Sequence, residues 1–283
     1  MQIIHEDLLA MVEAMPAFPQ GVSKVLDLCS KADCSPKDLV SVVERDPVLA
    51  MRVLKLVNSP FIGLSQPISS ISHGVAYVGM NTIKNIALTV AAIGMLPREN
   101  KANFDMDEFL QHSLGTAAVC KRMAGLKGVK ETNSADYFLA GLLHDFGKVI
   151  LVRQMPDQFS EALEEAQKKK LALDAAERMI YKIDHAEIGA VLAAHWALPE
   201  GLIRAIRYHH SAGDLSNPSL LEQIVMAGNL VVHRLGFGSS GNYYPAELPK
   251  SIIKNLGMNI DEIISAIGDT DSLFADAKAF AST

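Results

Sequence analysis

Apolar residues recur along nearly the whole chain at the three- and four-residue spacing of a helix face, and no segment alternates convincingly as a strand does. Val22, Val25, Leu26 and Cys29 form one such stripe, closed by the Ala32-Asp33 region. Ser35-Pro36 opens the next helix: the serine can cap it, proline suits the first turn, and Asp38 lies at the positive end of the dipole. Leu39, Val42 and Val43 carry its core face. Asp46-Pro47 repeats the start signal, and the helix through Val48, Met51, Leu54 and Lys55 stops at Asn58-Ser59-Pro60, where proline restricts the residue before it. Phe61 to Ser72 reads as loop. Ser72 is the expected cap of a short helix from His73 to Val78, Gly79 breaks it, and Asn81 or Thr82 opens a long helix to Met95.

Pro97 and the polar run Arg98 to Asn103 form the clearest boundary in the chain. The pattern therefore predicts an N-terminal helical subdomain over residues 1–100 and a second helical unit over residues 101–283. In the second unit, helices are expected from near Asp107 through His112 to Met123, from Leu139 to Asp145, and from Val149 onward. Ala162 to Leu171 reads as amphipathic and exposed. Asp184, with Glu187 at capping-box spacing, starts a helix carrying His185, Gly189 and Leu192. Pro199 starts the next, which ends at Tyr208-His209-His210; Gly236 to Tyr244 is a Gly-rich loop, and Ile252 to Ile267 packs as terminal helices. The fold class is all-α, a multi-helix bundle.

Composition narrows the class without changing that picture. The chain has 283 residues, 49% hydrophobic and 20% charged, which suits one large or two modest globular domains. The best candidate for a membrane span, Ile86 to Leu96, falls well short of the roughly 20 apolar residues required. The N-terminus lacks the basic-then-apolar shape of a signal peptide, so a cytoplasmic location is expected. Cys29, Cys34 and Cys120 are too sparse for a disulfide framework or a thiolate zinc site. A net charge of −6 argues against nucleic acid, and Lys168-Lys169-Lys170 follows Glu161, Glu164 and Glu165 as a solvated helix face. A helix-turn-helix reading around Val78-Gly79-Met80-Asn81 offers only Lys84 and Asn85 to a groove.

The candidate chemistry lies in residues 112–210. Gly141-Leu-Leu-His144-Asp145-Phe-Gly147-Lys148 places an imidazole beside a carboxylate after two leucines, which is costly unless both are paired or bound to metal. His112, His185 and the His209-His210 pair lie on other predicted helices, and a bundle can bring such residues to one centre. Imidazoles with a carboxylate and no thiolate suit iron, manganese, zinc or nickel, as one or two ions. His5, His73, His195 and His233 are read as structural.

The segment around His144 resembles the signature of the HD superfamily of metal-dependent phosphohydrolases, with Gln111-His112-Ser113 as its upstream element. A narrower resemblance, to the HDOD module of bacterial signalling proteins, rests on Met15-Pro16-Ala17-Phe18-Pro19, Val43-Glu44-Arg45-Asp46-Pro47, Val57-Asn58-Ser59-Pro60-Phe61 and Ser70-Ile71 leading to Val78-Gly79. It continues through His185-Ala-Glu-Ile-Gly189, Trp196-Ala-Leu-Pro199 and His209-His210. The resemblance implies an HD-like second domain with His112, His144, Asp145, His185, His209 and His210 as metal ligands, Asp145 bridging. It further implies that Lys148 is placed to meet phosphate. Where the family shows Ala-Asp, this chain reads Met226-Ala227-Gly228-Asn229, so the final carboxylate is expected to be replaced by Gly228, with Asn229 able to lie near as a poorer ligand. The substrate-facing stretch that follows the paired histidines in cyclic di-GMP enzymes is absent. The resulting expectation is a non-catalytic regulatory module with a metal-binding site and signalling proteins as partners. The alternative is an active phosphohydrolase acting on a nucleotide or cyclic dinucleotide.

Overall fold

The structure, a computed structural model, describes residues 5–15, 18, 20–29, 34–59, 62, 64 and 66–281. Among these residues there are helices and no strands. The first part of the chain contributes α1 (His5–Glu13), α2 (Gln20–Cys29), α3 (Pro36–Glu44), α4 (Pro47–Val57), α5 (Ile71–Val78) and α6 (Met80–Gly94). The long α7 (Met106–Leu126) follows, then α8 (Glu131–Leu143), α9 (Gly147–Gln154), α10 (Pro156–Lys169) and α11 (Leu173–Tyr181). The remainder is α12 (His185–His195), α13 (Glu200–Arg207), α14 (Leu220–Leu235), α15 (Lys250–Leu256), α16 (Ile260–Ile267) and α17 (Thr270–Ala281). No helix among the described residues is long and apolar enough to cross a membrane.

The start signals act as their chemistry requires. Ser35 and Asp38 form a reciprocal capping box on α3, and Asp46 accepts from the backbone N–H groups of Val48 and Leu49 at the start of α4. Asp184 accepts from Glu187 N at 2.9 Å and caps α12. Two starts differ from expectation. Ser70, not Ser72, caps α5 by accepting from His73 N, because starting at Ile71 buries that side chain. The long α6 begins at Met80, directly after Gly79 at φ 88°, with no side-chain cap; Asn81 is turned to Asp136 instead. The stop expected at Asn58-Ser59-Pro60 is met, with α4 ending at Val57 and Asn58 as its C-cap; the predicted closure at Ala32-Asp33 lies outside the described residues, as do Pro60 and the side chains of His5 and Cys29.

α7 is the axis of the second part, packed by α8, α14, α16 and α17. It meets α8 closely, where a Cβ on Gly141 would stand 2.8 Å from Ala117 Cα. The two parts of the chain share one continuous apolar core. Across residues 97–105, Asn100 bonds both polar backbone groups of Phe104, while Ala102 and Phe104 are buried. Arg153 donates to Met95 O, and Phe18 packs on Trp196 with ring centroids 4.4 Å apart. Asn85, offered above as groove-facing, is instead 1% exposed and donates to Asp136 Oδ1. Asn81 and Asn85 are thus both turned to Asp136 of α8.

Candidate metal centre

Four helix ends and one helix interior supply the centre. His112 lies within α7, His144 and Asp145 follow the last residue of α8, Lys148 is in the first turn of α9, His185 opens α12, and His209-His210 follow α13. Gly147 permits the meeting of α9 with α12: a Cβ there would fall 1.9 Å from His185 O. All the sequence-predicted residues come together. Asp145, His185, His209 and His210 offer ligand atoms within 4.8 Å of one another, and so do His112, His144 and Asp145.

Hydrogen bonds on the far ring nitrogens decide what the near ones can do. His144 Nδ1 donates to Gly141 O at 2.7 Å, and His209 Nδ1 donates to Ile206 O at 2.6 Å. Each ring, when neutral, is thereby left with an Nε2 lone pair, and neither Nε2 finds a hydrogen-bond partner. His185 Nδ1 donates to Glu177 Oε2 at 2.6 Å, and the same oxygen accepts the His185 backbone N–H at 2.8 Å. His185 Nε2 then stands 3.0 Å from Asp145 Oδ1 and 2.9 Å from His210 Nε2. Asp145 Oδ1, also 3.5 Å from His209 Nε2, has no aligned hydrogen bond. Several lone pairs thus face one another in a buried space, which only a cation or extra protons can stabilise. The donor set fits a divalent transition metal.

Electrostatics follow from that crowding. Burial works against ionisation of Asp145, yet its contacts with His144 and with the Lys148 ammonium hold its carboxyl well below the usual range. Burial pushes His209 down to about 4 and His210 well below its ordinary value. His185 moves the other way, to about 9: burying the charged ring works against this, and the Glu177 carboxylate together with hydrogen bonding to Asp145 and Glu177 outweighs it. Lys148 Nζ donates to Asp145 Oδ2 at 2.8 Å and is 1% exposed.

One residue of the centre is missed by the sequence, and one expected position is not the one that reaches it. Glu177, on the unanticipated helix α11, is fully buried and orients His185. Its signal was Leu173, Glu177 and Tyr181 at successive four-residue steps, which puts a carboxylate on an apolar helix face. Asn229 is the residue of α14 that reaches the centre, with Oδ1 3.0 Å from His112 Nε2. The expected position 228 points elsewhere: a Cβ on Gly228 would lie 2.7 Å from Cys120 Sγ. Helical neighbours diverge by about 100°, so only one of the two can face His112. His233, read as structural, packs on His112 with tilted rings, centroids 4.7 Å apart, and lies outside both converging sets. His73 and His195 are exposed.

Comparison with known proteins agrees with this architecture. A profile of the HDOD domain matches residues 15–212. Over 200 residues the chain is 26% identical to an uncharacterized protein of Treponema pallidum (strain Nichols), covering 71% of this chain and 38% of that one. The chain therefore spans under half the length of that curated relative. The fold is similar to that of an HDOD domain protein with unknown function from Geobacter sulfurreducens, with TM-score 0.76, 24% identity and 98% of both chains covered. It is similar to the "Putative phosphohydrolase" of Shewanella amazonensis SB2B, with TM-score 0.75, 21% identity and 97% of both chains. It is also similar to the "Putative signal transduction protein" of Marinobacter aquaeolei VT8, with TM-score 0.74, 20% identity, and 98% and 66% of the two chains. With the profile matching most of its length and the same helical frame in these structures, the chain belongs to the HDOD domain family.

Proposed function

We propose that this chain is a non-catalytic signal-transduction module. In this reading its His/Asp cluster holds iron, manganese, zinc or nickel, and its helical surface receives partner proteins. The observation that carries the reading is closure of the centre. His112, His144, Asp145, Lys148, His185 and His209 are each at most 1% exposed, and only His210 retains partial access. A hydrolytic ion must keep an open position for water and admit a phosphoester beside it. Lys148 points its Nζ at Asp145 and is not presented to a phosphate. The Asn229 amide stands where a further carboxylate would complete the shell. The Marinobacter protein, described as a signal transduction protein, supports the regulatory assignment by analogy of fold.

A metal bound here supplies Lewis acidity and local positive charge. The chain's own residues orient the rings: Glu177, Gly141 O and Ile206 O hold the three Nδ1 protons, so that three Nε2 atoms face Asp145. The second reading, an active metal-dependent phosphohydrolase on a nucleotide or cyclic dinucleotide, is favoured by the convergence of all six predicted ligands. One experiment separates the two. Elemental analysis of untagged protein is expected to find transition metal that Asp145→Ala removes and that His195→Ala, altering an exposed histidine, retains. Loaded with Mn2+ or Fe2+, the protein is expected to leave nucleotide phosphodiesters intact. Hydrolysis that disappears in Asp145→Ala would overturn the non-catalytic reading; equal metal content in the two variants would remove the site.

A further inference from the structure

The two oxygens of Asp145 face different surroundings. Oδ1 faces His185 Nε2 at 3.0 Å and His209 Nε2 at 3.5 Å. Oδ2 faces His112 Nε2 at 3.8 Å, His144 Nε2 at 3.3 Å and Lys148 Nζ at 2.8 Å. We infer that the centre takes a single metal ion, on the Oδ1 side, and that the Lys148 ammonium is the built-in cation of the Oδ2 side. The inference rests on the metal-binding reading above and sets its stoichiometry.

Three features close the Oδ2 side to an ion. Lys148 is 1% exposed, so its charge needs a counter-charge in contact, and Asp145 Oδ2 is the carboxylate oxygen that its Nζ reaches. A divalent ion on the same oxygen would sit against that ammonium in a buried space where like charges repel strongly. His112 Nε2, the nitrogen facing the centre, is engaged by the Asn229 amide at 3.0 Å. Whichever way the amide is turned, that nitrogen is used: as donor to Oδ1, or as acceptor from the amide nitrogen. What remains is one free imidazole nitrogen, on His144, and a shared oxygen. The Oδ1 side is different. Once the proton shared by His185 Nε2 and His210 Nε2 at 2.9 Å is released, as metal binding to imidazole requires, His185, His209, His210 and Oδ1 supply four donors, the number a tetrahedral site requires, with no ammonium bonded to that oxygen.

The test uses the whole chain, stripped of metal and equilibrated with Mn2+. Bound metal is counted after dialysis, and electron paramagnetic resonance distinguishes an isolated ion from an exchange-coupled pair. Wild type is expected to hold one equivalent with the isolated-ion signal. The double variant Lys148→Met, Asn229→Asp removes one positive charge and adds one negative, which balances a second dication. It is expected to bind two equivalents with a coupled signal. Two equivalents in wild type would overturn the single-ion inference and leave the metal-binding reading standing. A double variant that melts like wild type yet still binds one equivalent would also overturn it. No metal in wild type would overturn both. Should the double variant fail to fold, the wild-type count and signal alone decide.

Discussion

Glu177 is the residue whose removal gives the sharpest prediction. It is fully buried on α11, and its Oε2 accepts from both His185 N and His185 Nδ1, at 2.8 and 2.6 Å. It therefore satisfies the first free N–H of α12 and fixes the tautomer of a predicted ligand at once. Glu177→Ala leaves two buried donors without an acceptor and takes the negative charge from beside a ring whose pKa it raises to about 9. Hydrogen bonds to a charged group contribute about 1.5–3 kcal/mol each, so a loss of about 3–5 kcal/mol of stability is expected. Glu177→Gln keeps an acceptor oxygen but not the charge, so its stability should fall much less. Metal affinity should drop about 10- to 100-fold, as is usual when the partner of a ligating histidine is altered. Urea unfolding of the metal-free chain reads the first quantity, and Zn2+ titration against a competing chelator reads the second. Zinc affinity in Glu177→Gln equal to wild type would refute the orienting role. An Ala variant destabilised by under about 1 kcal/mol would refute the energetic reasoning.

Two other perturbations test the frame around the centre. Gly147→Ala would drive a Cβ to 1.9 Å from His185 O and 2.8 Å from Gly189 N, both backbone atoms that cannot rotate away. Its stability should fall by more than the about 1–3 kcal/mol of ordinary overpacking, read as a lowered thermal midpoint, and an unchanged melt would show that α9 and α12 are not in contact there. For pH, the Asp38 carboxyl is held below its ordinary 3.8 by the side-chain and then the backbone hydrogen bond from Ser35. A depressed carboxylate stabilises the fold above its unfolded value and loses that contribution as pH falls through the lower folded value. Denaturation midpoints of wild type and Asp38→Asn should therefore differ above pH 3.8 and converge below it. A gap that stays constant into strong acid would exclude the Ser35–Asp38 box as its source.

Sequence alone determined the local layer of this protein. Helical periodicity and the caps at Ser35, Asp46 and Asp184 are short-range effects, each settled within a turn of backbone, and the structure places them there. The same holds for the special status of His144-Asp145, whose cost in apolar surroundings can be read from its immediate neighbours. Where local signals compete, the reading slipped. Ser70 and Ser72 are both acceptable caps, and only burial of Ile71 chooses between them. Gly228 and Asn229 are adjacent in α14, and only the packing of that helix against Cys120 decides which one meets His112. Tertiary structure likewise decided that Glu177 orients His185, that Asn85 turns inward to Asp136, and that Lys148 lies on Asp145 under closed walls. Apart from the Lys148–Asp145 pair, three residues apart, these are contacts between separate elements, as far apart in sequence as residues 112 and 229. Their energies depend on how helices pack and which groups lose water together, and no local pattern encodes that.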